Sequence, residues 1–355
     1  MKIVYVTSES YLDHSYTIVN ALKKGAELSV FIQAKENTDE ITDWCNELNA
    51  IFVKRKRFRN PFSFFSELGF LLSVKKIKAD KIWFNTFTAY QAVIAKVLLK
   101  DFIVMVHDVE IHPETKDYYS VLSLRLTLAL FKKKAGVASR VQAKIFKEKY
   151  GFEPKVFQLP IIDYYTKSGN KAQQKAPDSG KIRFFFFGSI EPYKGIETLL
   201  EAAEILENKN INFEIAVYGK LKYSAEELLS RMKKIKSLKL RDEFVHYKDI
   251  HEIYCNNDVL VLPYRQVTQC GPLLIGYNEL VPSICSELEG FREYVDDGKS
   301  GLLFNNTSGG LAQKMEEIIK NPKLISGMKE YIEKNIFKKF SMESLGNDYI
   351  NNLKN

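Results

Sequence analysis

Lys194 and Gly195 close the loop of the run FFFFGSIEPYKGIETLLEAAEIL, residues 184–206, in which an apolar strand ends at Gly188 and a helical pattern begins just past Gly195. A strand, a glycine turn and a helix start bring unpaired backbone N–H groups and the positive end of a helix dipole to one point, with an ammonium group beside them. That is chemistry suited to a phosphate. The plainer alternative leaves the glycines as a tight turn and Lys194 as a solvated charge. A second such point follows the apolar run 259–262, where Gly271 and Pro272 stand at an expected helix start and Arg265 lies in the loop feeding it. Proline is best tolerated at the first helical position. Two anion-ready helix ends in one domain point to a diphosphate.

His107, Asp108, Glu110 and His112 cluster in HDVEIHPE, after the strand-like run 102–107. The C-terminal end of a strand is where open α/β sheets place their chemistry. These residue types suit a metal, but Pro113 keeps them off a continuous helix, and no metal is expected. The plain reading of His107 is a histidine closing off a strand end. His14, in the loop SESYLDHS after the first strand, is a weaker candidate.

These residues need a frame. Short β-branched or aromatic runs at 2–7, 27–33, 50–53, 81–85 and 102–107 alternate with helix-period segments such as 15–24 and 89–100. That rhythm predicts a right-handed, doubly wound parallel sheet. After 155–160 it stops, and the polar stretch SGNKAQQKAPDSGK, 168–181, reads as a linker. It restarts with strands expected at 183–187, 213–218, 243–247 and 259–262. The expected fold is therefore α/β, two Rossmann-like doubly wound domains facing an inter-domain cleft. Residues 1–165 form the first domain, 166–181 the linker, 182–335 the second domain and 336–355 a C-terminal helix.

A length of 355 residues fits two domains of roughly 150. Hydrophobic residues at 45% with 27% charged describe an ordinary globular chain, which excludes disorder, collagen and coiled coil. No apolar stretch is long enough to span a membrane, and the start MKIVYVTSES lacks a secretory h-region. The expectation is a cytoplasmic protein. Four cysteines without a CxxC pair predict reduced thiols. The net charge of +8 implies an anionic partner. Its densest stretch, residues 54–78, holds eight Lys or Arg, one acidic residue and four phenylalanines ahead of a leucine cluster, and 124–134 has the same character. Such a surface suits an anionic membrane face, making the protein peripheral there, or a lipid-linked substrate; an amphipathic core helix with a solvated basic end is the other reading. No nucleic-acid module is present, and no GxGxxG follows the first strand, against an NAD enzyme.

From residue 184 to about 304 the sequence resembles the retaining GT-B glycosyltransferases, most closely glycosyltransferase family 4. The motifs are the Gly188 to Gly195 loop with Lys194, the segment DVLVLPY through TQCG to VPSICSELEGF, and the later Gly290, Glu293, Gly298 and Gly301, all in family order. The first half is similar only in rhythm and a few landmarks. The resemblance implies a nucleotide-sugar donor, UDP- or GDP-linked, held by Gly188, Ser189, Lys194, Gly195, Arg265, Thr268, Gln269, Cys270, Gly271 and Pro272. It places His107 near the donor sugar and acceptor, with Lys194 as the other catalytic residue and His14, Asp108 and Glu110 on the acceptor side. It implies no cofactor and no catalytic metal, a saccharide or lipid-linked acceptor in surface polysaccharide assembly, and a C-terminal helix that crosses back onto the first domain.

The departures are specific. The arginine usual after the first loop glycine is absent, replaced by Ser189, Ile190 and Glu191, and the family's paired glutamates fall on Thr268 and Gly276. Glu279, three residues past Gly276, offers a carboxylate on nearly the same helix face, and Arg265 offers a charge; a solvated helix residue is the plain reading of Glu279. Retention needs no strong base, whereas inversion would need one, with His107 or Asp108 best placed. The alternative function is a catalytically inactive GT-B-like binding or scaffolding partner of an active glycosyltransferase. An epimerase or phosphorylase on the same fold has no positive support in the sequence.

Overall fold

The computed structural model describes residues 1–56, 62–109, 118–168, 180–223 and 226–354. Glu110 and His112, residues 57–61 of the basic stretch and 169–179 of the expected linker lie outside them. The chain forms two compact units, Met1–Pro160 with Met342–Asn355, and Ile161–Ser341.

In the first unit, seven strands run β1 (Lys2–Ser8), β2 (Glu27–Ala34), β3 (Ala50–Lys54), β4 (Lys81–Phe84), β5 (Phe102–Met105), β6 (Ala135–Val137) and β7 (Lys155–Val156). They lie in the order β3-β2-β1-β4-β5-β6-β7, every pairing parallel. In the second unit, β8 (Arg183–Phe187), β9 (Glu214–Tyr218), β10 (Leu238–Arg241), β11 (Val259–Leu262), β12 (Ser283–Ser286) and β13 (Gly301–Phe304) lie in the order β10-β9-β8-β11-β12-β13, again all parallel. In each sheet the winding reverses once, at β1/β4 and at β8/β11, and ligands of doubly wound folds sit outside the carboxyl ends at that reversal. Central strands covered on both faces read as unbroken apolar runs. Accordingly, Phe184, Phe185 and Phe186 of β8 are fully buried, and the helix Ile196–Asn208 lays Leu199, Leu200, Ala203 and Leu206 inward.

Sequence and structure differ at several places. The strand expected at 243–247 lies earlier, at β10, where Leu238 pairs with Ile215 and Arg241 with Tyr218. Phe244 projects into solvent at 72% exposure, so the β-like composition of 243–247 has no sheet to bury against. Strands β6, β12 and β13, short and interrupted by Gly or Ser, gave no separate signal. The units divide at 160/161, not at 165/166. Residues after Pro160 bind the second unit, with Ile162 N–H donating to Leu274 O (3.4 Å), Thr166 Oγ1 donating to Glu279 Oε1 (2.8 Å) and Tyr164 stacked near Tyr247; the helix Tyr164–Ser168 thus takes up the start of the expected linker. The return lies at 341/342, not 335/336, because Ile161 N–H donates to Phe340 O at 2.9 Å and Phe340 packs on Tyr294.

The final helix, Met342–Lys354, belongs to the first unit and lies on the helix Leu12–Lys23. Gly346 permits the approach, since a Cβ there would stand 3.0 Å from Ala21 O. Tyr349 completes an aromatic cluster with Trp83 and Phe157, ring centroids 4.4 to 5.8 Å apart, and its hydroxyl donates to Gln158 O.

Candidate functional site

Strand β8 delivers the chain to Gly188, whose φ of +116° few side chains tolerate. Gly188 N–H donates to Tyr218 O at 2.9 Å. Beyond it, three loops press backbone against backbone. A Cβ on Gly219 would lie 1.9 Å from Gly188 O, and a Cβ on Gly195, at φ +63°, would lie 2.0 Å from Pro263 O. Arg265 N–H donates to Tyr193 O at 2.7 Å, tying the loop after β11 to the loop after β8. A Cβ on Gly188 would stand 3.3 Å from Lys194 Nζ and 3.9 Å from Pro272 Cγ. Gly188, Lys194 and Pro272, 84 residues apart at the extremes, therefore meet at the carboxyl ends of β8 and β11.

Two helices begin here. Ile196–Asn208 starts from Gly195, and Gly271–Asn278 starts from Cys270 with Pro272 in its first turn; neither has a side-chain cap among the described residues. Their first-turn N–H groups can serve an oxyanion, and both dipoles favour one. Lys194 is buried to 8% exposure and donates from Nζ to Ser189 Oγ (3.0 Å), which donates to Glu191 Oε1 (2.6 Å). The rings of Tyr193 and Tyr264 flank the ammonium at 5.8 and 5.9 Å. Burial lowers the Lys194 pKa, and the nearby Glu191 carboxylate works against that shift. Burial pushes the Cys270 thiol up to about 11, which keeps it a neutral wall. Thr268 and Gln269 lie half-buried in the preceding loop.

The two sequence repairs have other partners. Arg265 reaches Glu197 Oε2 at 3.1 Å on the exposed side of the loop. Glu279 is not solvated: its carboxylate is buried beside His251 Nδ1 (2.8 Å). It follows the last residue of Gly271–Asn278, about 12 Å along an eight-residue helix from the end that starts at the phosphate point. Sequence reasoning missed Glu191 as the partner of Ser189, the flanking Tyr193 and Tyr264, and Gly219. The glycine alone carried a signal, closing a strand as Gly188 does.

In the first unit, the reversal at β1/β4 gathers another set. His107 follows β5, and its Nε2 lies 2.6 Å from Asn85 O at the end of β4. A carbonyl only accepts, so Nε2 carries the proton. Tyr11 stacks on the imidazole at 3.9 Å and 13°, and burial, then the charges of Asp108 and Asp13, push its hydroxyl up to about 12. Asn85 is fixed in turn by Nδ2 donating to Thr7 Oγ1 and Ser15 Oγ, each at 3.3 Å. His14 Nε2 stands 4.0 Å from Asp13 on the first turn of the next helix. Glu110 lies outside the described residues.

The family model for Glycosyl transferases group 1 matches residues 181–321. Over those residues the second unit is similar to a group 1 glycosyl transferase domain, and the chain has the GT-B fold. Its solved structural relatives include a glycosyltransferase from Rickettsia africae (15% identity, TM-score 0.72, covering 99% of this chain and 97% of that one). The Anabaena protein HepE in complex with UDP-glucose aligns at 14% identity and TM-score 0.75, over 100% of this chain and 99% of that one. A UDP-GlcNAc 2-epimerase from Neisseria meningitidis bound to UDP-GlcNAc aligns at 12% identity and TM-score 0.62, over the whole of both chains. No curated protein matches by sequence. The matched stretch contains Gly188, Lys194, Gly271 and Pro272, the residues the loops bring together.

The buried lysine of this domain sets a pH dependence. Because the folded pKa of Lys194 is lowered, its charged form costs stability below that pKa, and the cost is relieved as pH rises through it. Nucleotide diphosphate affinity should move the other way. It is expected to fall on the alkaline side, beginning below the ordinary lysine range, and Lys194→Met should flatten that limb. Calorimetric titration with UDP across pH 7 to about 10 reads it.

Proposed function

We propose that this chain moves a sugar from a nucleoside diphosphate donor, a UDP-sugar, to a saccharide or lipid-linked acceptor, with retention, in the assembly of a surface polysaccharide. The observation that carries the reading is the meeting of Gly188, Lys194 and the Gly271–Pro272 helix start at the β8/β11 reversal. Negative charge grows on the departing diphosphate as the glycosidic bond breaks, so fixed donors aimed at it lower the barrier. Lys194 supplies a cation and the two uncapped helix starts supply N–H groups. Thr268, Gln269 and Cys270, in the loop just before the second helix start, are the remaining donor-side residues of this reading, and the structures of HepE with UDP-glucose and UDP support uridine as the base. His107, anchored through Nε2 with Asp108 beside it in sequence, is the polar group offered to the sugar and acceptor, with His14 near the same strand ends. No cofactor or catalytic metal enters this reading.

A second reading has one observation in its favour. Glu191, in the stretch where the resemblance implies an arginine, joins Ser189 and Lys194 in a hydrogen-bonded chain, and Thr268 and Gly276 bring no carboxylate to the donor loop. A scaffold that no longer transfers sugar would tolerate these changes. A thermal-shift screen with UDP, GDP, ADP and CMP separates the two. Ligand at a hundred times its Kd adds about 2.7 kcal/mol to the folded state, so UDP is expected to raise the melting temperature by several degrees and Lys194→Ala to abolish the rise. No shift with any nucleotide would favour the scaffold.

The lipid-linked acceptor is supported by a surface on the first unit. The helices Ser63–Lys76 and Ala89–Leu98 pack side by side and expose Phe65, Leu72, Val93 and Val97, with Lys75, Lys76, Lys96 and Lys100 also exposed. Each such cation contributes about 1 kcal/mol at an anionic surface. Cosedimentation with phosphatidylglycerol vesicles, weakened by salt and by Phe65→Ser with Val97→Ser, is expected; failure to cosediment would leave a water-soluble acceptor.

A further inference from the structure

His251 and Cys255 stand four residues apart on the helix Ile250–Cys255, so they share a face. Glu279 meets them from the end of Gly271–Asn278. All three are buried, and their donor atoms lie within 4.8 Å of one another. His251 Nδ1 is 2.8 Å from Glu279 Oε2, while Cys255 Sγ is 3.8 Å from Nδ1 and 3.9 Å from that oxygen. A tetrahedral zinc with bonds of about 2.0–2.3 Å sets its donor atoms roughly 3.3–3.6 Å apart. The observed separations bracket that range; the nitrogen–oxygen pair must open by about half an ångström and the sulfur contacts close by less.

Charge balance argues the same way. A buried carboxylate is costly unless compensated. A dication held by one carboxylate, one thiolate and a neutral imidazole sums to zero. Burial first, then the Glu279 charge, pushes the Cys255 thiol up to about 11, so without metal the sulfur keeps its proton. A dication takes the proton's place, forming a metal–sulfur bond and releasing one H⁺ to solvent.

We infer that His251, Cys255 and Glu279 form a structural site for a thiophilic divalent cation, zinc by its mixed nitrogen, sulfur and oxygen donors. Thr166 Oγ1, 2.8 Å from Glu279 Oε1, holds the carboxylate's other oxygen, and a water completes the shell. The site is separate from the phosphate point, to which it is linked by one helix. Gly271–Asn278 has its uncapped start at that point and the Glu279 ligand at its other end, so the ion pins the helix that would hold the diphosphate.

Cobalt reports the site without assaying activity. The full chain, stripped with a chelator and titrated with Co²⁺, is expected to bind one equivalent with a thiolate-to-cobalt charge-transfer band and tetrahedral visible bands, both bleached by one equivalent of Zn²⁺. Cys255→Ala should lose the charge-transfer band, whereas Cys45→Ala, a cysteine on a first-unit helix, should keep it. If Cys255→Ala does not fold, Glu279→Gln supplies the second reading, expected to weaken cobalt about tenfold or more. A stripped protein that shows no charge-transfer band at stoichiometric cobalt overturns the inference. So does a folded Cys255→Ala protein whose spectrum is unchanged, or a Glu279→Gln protein with undiminished affinity.

Discussion

At the carboxyl edge of the second sheet, backbones approach more closely than any side chain allows, and the geometry of the proposed phosphate seat depends on that approach. Gly219 lets the end of β9 lie against Gly188 O, and Gly195 lets the loop after β8 lie against Pro263 O. An added methyl at either place would overlap a carbonyl oxygen at about half the distance real Cβ atoms keep. Given this contact, the rest follows. Lys194 is carried under Gly188, Pro272 closes the far side, and the helix starts at Gly195 and Cys270 open onto one region.

The charge of that region is economical. One buried ammonium, held by Ser189 and moderated by Glu191, stands where the family resemblance implies a lysine and an arginine. Arg265 shares its charge with Glu197 instead. In the proposed transfer the helix N-termini would therefore carry more of the work, and fixed backbone dipoles suit it because they need no reorganisation as charge develops. The first unit shows the same preference for anchored groups. His107 is held by a carbonyl on one edge and by the Tyr11 ring on its face, and Asn85 is held by Thr7 and Ser15.

Much of this was legible in the residues. FFFFG announces a central strand that ends in a turn, and a lysine before Gly195 and a proline after Gly271 each mark a helix start; the structure joins these because all three lie at one sheet reversal. The repeated βα rhythm was enough for both sheets, since period and strand chemistry are local properties. What escaped was non-local. Strand β10 was displaced because 243–247 is richer in β-formers than 238–241, and only pairing with β9 decides between them. Glu279 read as a substitute carboxylate for the donor loop or else as a solvated helix residue, because nothing in its neighbourhood shows that His251, 28 residues earlier, waits beside it. Glu191 stood out only as one of three residues in place of an arginine, and its engagement of Ser189 required the loop to be folded first.

The central claim is that two loops separated in sequence form one diphosphate seat. Hydrogen–deuterium exchange of the intact chain with and without UDP tests it at the backbone groups concerned. The account predicts that UDP slows exchange together in 188–198 and 270–275. Protection elsewhere in the second unit, with both of these segments unchanged while UDP is bound, would contradict it.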